Sequence, residues 1–345
     1  MPPRDPLNRR SFHPWVSWLL SLAILALLFW WMPVNDVMAA MRVLDWRFLA
    51  VAASMTFVNV LLRGFRWAQI LDCRTPRQIT VSTCVCAIGL ALNAVMPGKA
   101  GEFARIGLAR KHLNGPPLGS IVAGALAERI FDATMLLCLL ALSLAVSDAL
   151  SNYSGLEGRI HGAAGRLAAG CALLAAVLAA LCIPRVNRFL RLTLVKLRRR
   201  RYGAIARRAS LFIRDFATPV NRLLSPARLA STSGLTILMW LAIGAGVYLT
   251  ALGTPVVDLS PQVALTFAAV TVIATALPSA PGGWGIFEAV GVAVVLSLGR
   301  VSDEAGAFAF VIAAHLVQYL PVVLCGVLGW LVLHRTRRAM EIHDG

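Results

Sequence analysis

Charged residues are scarce in this sequence, at 14% of the chain, and acidic ones are scarcer than basic ones, with 16 Asp and Glu against 33 Lys and Arg. Soluble domains carry roughly 25% charge, so a water-exposed globular fold is excluded. The seven cysteines lack framework spacing: Cys84, Cys86, Cys138, Cys171, Cys182 and Cys325 fall in apolar stretches and Cys73 in a polar loop. They read as small apolar residues, and Cys84-x-Cys86 alone makes no metal or redox site. The nucleotide-binding pattern Gly-x-x-x-x-Gly-Lys-[Ser/Thr] is also missing, because Ala100 follows Gly98-Lys99 and Asn93 stands where the first glycine belongs. Direct use of ATP is not expected. Without His-x-x-x-His, Gly-x-Ser-x-Gly or paired-aspartate metal motifs, enzymatic chemistry is not expected either, and no cofactor is assigned.

What the chain has in abundance is apolar sequence: 58% of residues are hydrophobic and the mean hydropathy is +0.73. Apolar segments lie at 15–34, 48–66, 79–96, 101–112, 119–147, 162–183, 229–252, 262–280, 285–299 and 305–333. This is the pattern of an all-α polytopic membrane protein. Val37-Met-Ala39 imitates a signal-peptidase site, but the run before it is too long for a signal peptide and reads as a retained span. The net charge of +17 gathers at the N-terminus, at Arg66, Arg74 and Arg77, at Arg110 and Lys111, throughout 185–228, and at Arg335, Arg337 and Arg338. Such clusters mark cytoplasmic loops rather than a nucleic-acid-binding domain, and anionic lipids are the partners expected at the basic insert. A bacterial cytoplasmic membrane with both termini inside is the expected location.

Loop charge then constrains topology. Both flanks of 79–112 are basic, so that segment is expected to enter and leave from the cytoplasm, and with one crossing on each side both flanks of 262–299 are expected outside, which makes the two segments opposed re-entrant hairpins. The chain divides into a cytoplasmic N-terminus 1–14, a first membrane repeat 15–147, an extracytoplasmic loop 148–160, a second repeat 161–334 carrying the insert 185–228, and a tail 335–345. About six full spans plus two hairpins in inverted repeats are expected. Trp15, Trp18, Trp46, Trp67 and Trp330 read as interfacial anchors.

Pro97-Gly-Lys-Ala-Gly101-Glu102 and Pro278-Ser-Ala-Pro-Gly-Gly-Trp-Gly285-Ile-Phe-Glu288 break the two hairpins in corresponding places. Unpaired backbone in hydrocarbon costs several kcal/mol per group, so such breaks belong where they line a cavity. A helix starting after the first break directs free N–H groups beside Lys99, with Glu102 and Arg105 in its first turn, which suits an anion such as a lipid phosphate. Arg63, Arg66, Glu128, Arg129 and Asp132 also fall in or beside apolar segments. Each uncompensated charge there costs about 2.5 to 3.5 kcal/mol, so pairing is required. Glu128 and Asp132 share a helix face, with Arg105, Arg129 or a proton as the candidate between them. Gly282, Gly283 and Gly285 permit close backbone approach, and Glu288 sets the field or carries a proton. His315 and Gln318 read as interhelical hydrogen-bond partners.

Three motifs, Asn93-x-x-x-Pro97-Gly-Lys-Ala-Gly101-Glu102-x-x-Arg105, Glu128-Arg129-x-x-Asp132 and Pro278-x-x-Pro-Gly-Gly-Trp-Gly285-x-x-Glu288, resemble the transmembrane region of lysylphosphatidylglycerol synthase and its stand-alone, flippase-like relatives. The resemblance implies a lipid translocase; taken with the intramembrane cations, the expected cargo is an anionic or lipid-linked amphiphile, with Lys99, Arg105 and Arg129 receiving the head group. It does not extend to an aminoacyl-transferase domain, so lysyl-lipid synthesis is not expected. Many relatives have an arginine where this chain has Phe287. An accessory subunit of a lipid-modifying, hopanoid or glycolipid pathway, a headgroup-modifying enzyme, and assembly with a protein partner or a second copy are the alternatives.

Overall fold

A computed structural model describes residues 34–96, 99–113, 116–146, 203–276, 280–301 and 303–343. The expected N-terminus 1–14, nearly all of the segment 15–34, the loop 148–160, the segment 162–183, residues 185–202 of the insert, and Pro97, Gly98 and Pro278 lie outside them. The described residues form ten α-helices: α1 (Val34–Arg42), α2 (Trp46–Ile70), α3 (Pro76–Val95), α4 (Ala100–His112), α5 (Leu118–Val146), α6 (Gly203–Leu223), α7 (Pro226–Leu252), α8 (Pro261–Ala274), α9 (Ile286–Leu298) and α10 (Glu304–His343). A short antiparallel ribbon, β1 (Val257–Asp258) with β2 (Arg300–Val301), completes the fold. Among the described residues five helical stretches are long and apolar enough to cross a membrane: α2, α3, α7, Pro281–Leu298 and Glu304–Arg335.

Local sequence explains the ends. Asp45 accepts from the Arg47 amide to start α2, and Thr75 with Gln78 forms a capping box ahead of Pro76 at the start of α3. Ser260 caps α8, with Pro261 in the first turn. Outward faces are apolar: Val51, Val58, Leu61 and Phe65 are exposed along α2, and Leu320, Leu324, Val327 and Leu331 along α10. Polar residues turn inward instead, with Asn59 and Arg66 buried on α2. A soluble bundle has the reverse arrangement, so lipid is the solvent this surface suits.

Two antiparallel helix pairs follow the expected hairpins. In the first, Gly101 meets Gly89 and Asn93, while Arg105, one turn along α4, meets Gly89 and Cys86 further back along α3. A Cβ on Gly101 would stand 1.9 Å from the Gly89 carbonyl, so only glycine permits this crossing. In the second pair Thr275 faces Gly283, Phe267 faces Gly291 and Leu259 faces Gly299, with the β1–β2 ribbon tying the open end. The halves of the first pair are unequal. At 20 residues α3 is about 30 Å long, and at 13 residues α4 is about 20 Å. Thus α3 can span hydrocarbon while α4 cannot.

Trp67 corrects its reading as an interfacial anchor: it is fully buried, whereas Trp46 and Trp330 are exposed. Within the expected basic insert, α6 packs along α5 and is held at its end by Asp72. Asp72 sits in a left-handed turn after α2 and pairs with Arg228 at 2.6 Å, Arg222 at 2.8 Å and Arg74 at 3.2 Å. Burial pushes its carboxyl pKa up, but the hydrogen bonds and charge of these arginines prevail and hold it below the ordinary carboxylate value. Burial beside Asp72 also pushes the Cys73 thiol up to about 11, which keeps it unreactive at neutral pH.

Asp72→Asn should therefore lower stability by about 1–2 kcal/mol at neutral pH, measured by thermal unfolding in detergent. The folded pKa is depressed, so the carboxylate's contribution is complete above its unfolded value of about 3.9 and is lost as pH falls through the lower folded value. The gap between wild type and variant should close only in acid; a gap constant down to that range would deny the charge its role.

Candidate functional site

Three helices converge on a chain of alternating charge. Arg129 on α5 pairs with Glu102 on α4, and Glu102 Oε2 accepts from Arg105 Nη2 at 3.2 Å. Arg105 Nη1 lies 2.6 Å from Glu128 Oε2, whose other oxygen is 3.3 Å from Arg66 Nη2. Arg66 Nη1 then donates to Asp132 Oδ1 at 2.7 Å, and Asp132 Oδ2 lies 3.4 Å from Arg63 Nη1. Read in order, Arg129, Glu102, Arg105, Glu128, Arg66, Asp132 and Arg63 alternate in sign and end in a guanidinium at both extremities. Four cations face three anions, which leaves one positive charge in excess before Lys99 is counted.

The middle is buried and the Arg129 end is open, while Arg63 at the other end is only partly exposed. Arg66 and Glu128 are almost inaccessible, while the Arg129 side chain is 50% exposed and Lys99 is exposed. Burying such charges is tolerable only with close geometry and additional hydrogen bonds. Those are supplied: Arg66 donates to Thr236 on α7 at 2.9 Å, and Arg105 reaches Cys86 Sγ at 3.6 Å while its guanidinium lies 4.2 Å over the Trp67 ring. Trp67 is therefore the floor of this site. Asn93 on α3 donates to Glu102 at 3.4 Å, and Asn59 on α2 accepts from Arg63 at 3.4 Å.

Two of the expected pairings are corrected here. Arg129 pairs with Glu102 rather than with Asp132, and the cation between Glu128 and Asp132 is Arg66. Arg129 projects to the exposed side of α5, whereas Arg66 enters from α2 at full burial. Arg66 lies near a segment end, so the sequence counts it both with the cytoplasmic charges and with those beside the apolar segments, and does not name its partner. The signal that could have found it is spacing: Arg63 and Arg66 are three apart on one helix, matching Glu128 and Asp132, four apart on another.

The second break builds a separate cluster. Gly282, Gly283 and Gly285 have φ of 70°, 81° and 88°, so this turn requires glycine on backbone grounds. Glu288, in the first turn of α9, accepts from the Gly285 amide at 2.6 Å. Its other oxygen lies 2.5 Å from His315 Nδ1 on α10, and His315 Nε2 is 3.1 Å from the Gly282 carbonyl oxygen. Phe287 stacks on the imidazole at 4.2 Å and Trp284 lies at 4.3 Å. Gln318 bonds only to Ala314 on its own helix among the contacts described, so its interhelical reading is not supported there.

The two breaks touch. Lys99, left-handed at φ 54°, donates to the Ala276 carbonyl at 3.4 Å, and a Cβ on Gly282 would stand 3.0 Å from the Ala94 carbonyl oxygen. Lys99, Gly101, Glu102, Arg105, Glu128, Arg129 and Asp132 thus form one site, and Gly282, Gly283, Gly285 and Glu288 form a neighbour joined to it at the tips.

Comparison with known families places the matching region over residues 18–326, described as the lysylphosphatidylglycerol synthase TM region. The chain belongs to that family. A UPF0104 membrane protein of Methanothermobacter thermautotrophicus is 30% identical over 113 residues, a stretch equal to 33% of this chain and 33% of that protein. The family match encloses both antiparallel helix pairs and all seven charges of the network. In this lysylphosphatidylglycerol synthase TM-region protein, Phe287 covers the face of His315. The unforeseen members of the two clusters are Trp67, Cys86, Thr236 and the partnership of His315 with Glu288.

Proposed function

We propose that this protein moves an amphipathic lipid with an anionic head group, or a lipid-linked anion, between bilayer leaflets. The observation that carries the reading is the charge network with its cationic excess, set beside two broken helices that meet at their tips. Arg66 and Arg105 each keep a buried Nε without a hydrogen-bond partner among the described residues. A phosphate entering at Lys99 and Arg129 would exchange water for guanidinium and ammonium donors while its acyl chains stay in lipid. The two hairpins act as opposed re-entrant elements of an inverted repeat in a bacterial inner membrane, with both termini cytoplasmic. The exposed arginines at α6 and its junction with α7 rest on anionic head groups. In this reading the protein acts as a carrier rather than as an enzyme.

In proteoliposomes with head-group-labelled phosphatidylglycerol, the protein should speed transbilayer movement at least about tenfold over protein-free vesicles, an amount equal to about 1.4 kcal/mol of barrier. Glu102→Gln, which loosens Arg129 and Arg105 without unfolding the buried middle, should change that rate. Movement equal to protein-free vesicles would end the reading, and movement indifferent to Glu102→Gln would remove the network from it.

A further inference from the structure

Hydrogen-bond inventory around Glu288 and His315 leaves one proton that must be shared. The Gly282 carbonyl can only accept, so His315 Nε2 carries a hydrogen. Glu288 Oε2 already accepts from the Gly285 amide. The remaining contact, Nδ1 to Oε1 at 2.5 Å, brings two lone-pair atoms together unless a second proton lies between them. With that proton the pair is neutral overall, as carboxylic acid with imidazole or as carboxylate with imidazolium. Neutrality suits its place, since the side chains are 1% and 4% exposed.

Withdrawing the proton has a forced consequence. If Nε2 keeps its hydrogen, Nδ1 opposes Oε1 and the side-chain bond is lost. If the ring moves its hydrogen to Nδ1, Nε2 turns a lone pair on the Gly282 carbonyl and the turn is let go. Neither tautomer holds both ends. Gly282 is the residue packed on Ala94 and Tyr319, so the bond at stake fastens the second break where it meets the first.

We propose that Glu288 and His315 form a proton-binding site whose single shared proton latches the 281–285 turn against the first break, and whose loss frees that turn. The proposal rests on the translocase reading and supplies its regulation: release of the shared proton makes opening of the site pH-linked. The groups facing the pair are few. Tyr319 stands 6.0 Å from the imidazole, α8 has no titratable residue, and α3 presents Ala94 there. Lys99 is held at Ala276, on the far side of the 277–280 connection from the turn. Trp284 and Phe287 cover the ring.

Two readouts independent of transport test this in lipid nanodiscs. Histidine-labelled protein should give a far-downfield proton signal that His315→Gln removes and rising pH abolishes. Over the same pH interval, acrylamide quenching assigned to Trp284 by difference from Trp284→Phe should rise about twofold as the freed population grows. Glu288→Gln keeps both turn bonds, because its amide can donate to Nδ1 and accept from Gly285, so its Trp284 quenching should stay flat with pH. A wild type without the downfield signal, or a Glu288→Gln variant that responds to pH like wild type, would overturn the proton site. Failure of the translocase reading is seen separately: a pH-responsive turn in a protein that moves no lipid leaves the latch standing, whereas lipid movement with a pH-insensitive turn removes the latch alone.

Discussion

Arg66→Met should destabilise the protein by about 3–5 kcal/mol, the range found when one partner of a buried ion pair is removed. Methionine nearly fills the arginine's volume, so the loss is electrostatic rather than a cavity. Arg66 bridges Glu128 and Asp132 with no accessible side-chain surface of its own, and its removal leaves two carboxylates one turn apart without the cation between them. Arg105 still answers Glu128 at 2.6 Å, but among the described ion pairs Asp132 would keep only Arg63 at 3.4 Å. Since whole domains are stable by only about 5–15 kcal/mol, this is a large share of the total and should appear as a clearly lowered unfolding temperature. Adding Asp132→Asn to Arg66→Met should restore part of the loss, with a coupling of about 1–3 kcal/mol between the two positions. Thermal unfolding in nanodiscs measures both. A change below about 1 kcal/mol for Arg66→Met would mean that the network is hydrated and does not hold the helices together.

How much of this was legible in the sequence depends on the range of the interaction. Helix ends written in local code, such as Thr75-Pro76 and Ser260-Pro261, lie within a few residues of the expected segment edges. The interruptions after Val95 and Ala274 were legible because proline and glycine act on their own backbone. Membership of the charge network was legible too, since an ionisable residue in an apolar run must find a partner. Which partner it finds was not. Arg66 lies 62 residues from Glu128 along the chain, and only the packing of α2 on α5 chooses it over the adjacent Arg129. Trp67 was misread for the same reason: amphipathic aromatic character suits an interface, but helix rotation carried this ring inward beneath Arg105. The role of His315 depended on Glu288 and the glycine turn, which periodicity does not reveal.

Lys99→Glu combined with Arg129→Glu should slow movement of an anionic lipid by about 10- to 100-fold while leaving the protein folded, because like charge at a docking site costs several kcal/mol. Both side chains stand at the exposed end of the network, where ion pairs contribute only about 0–1 kcal/mol to stability. Arg105 continues to hold Glu102 at 3.2 Å when Arg129 is reversed, so the buried order from Arg105 to Arg63 persists. Lys99 already occupies the left-handed region as a non-glycine residue, and glutamate there adds no new backbone demand. The electrostatic step is therefore separable from the structural one that Arg66 serves. A zwitterionic lipid carries a compensating cation, so its movement should fall by less than about threefold in the same vesicles. An equal fall for both lipids would point to damage at the touching breaks, through the lost Lys99 bond to Ala276, and not to head-group selection. No fall for either would place the entry of the head group elsewhere on the protein and leave the network a structural clamp.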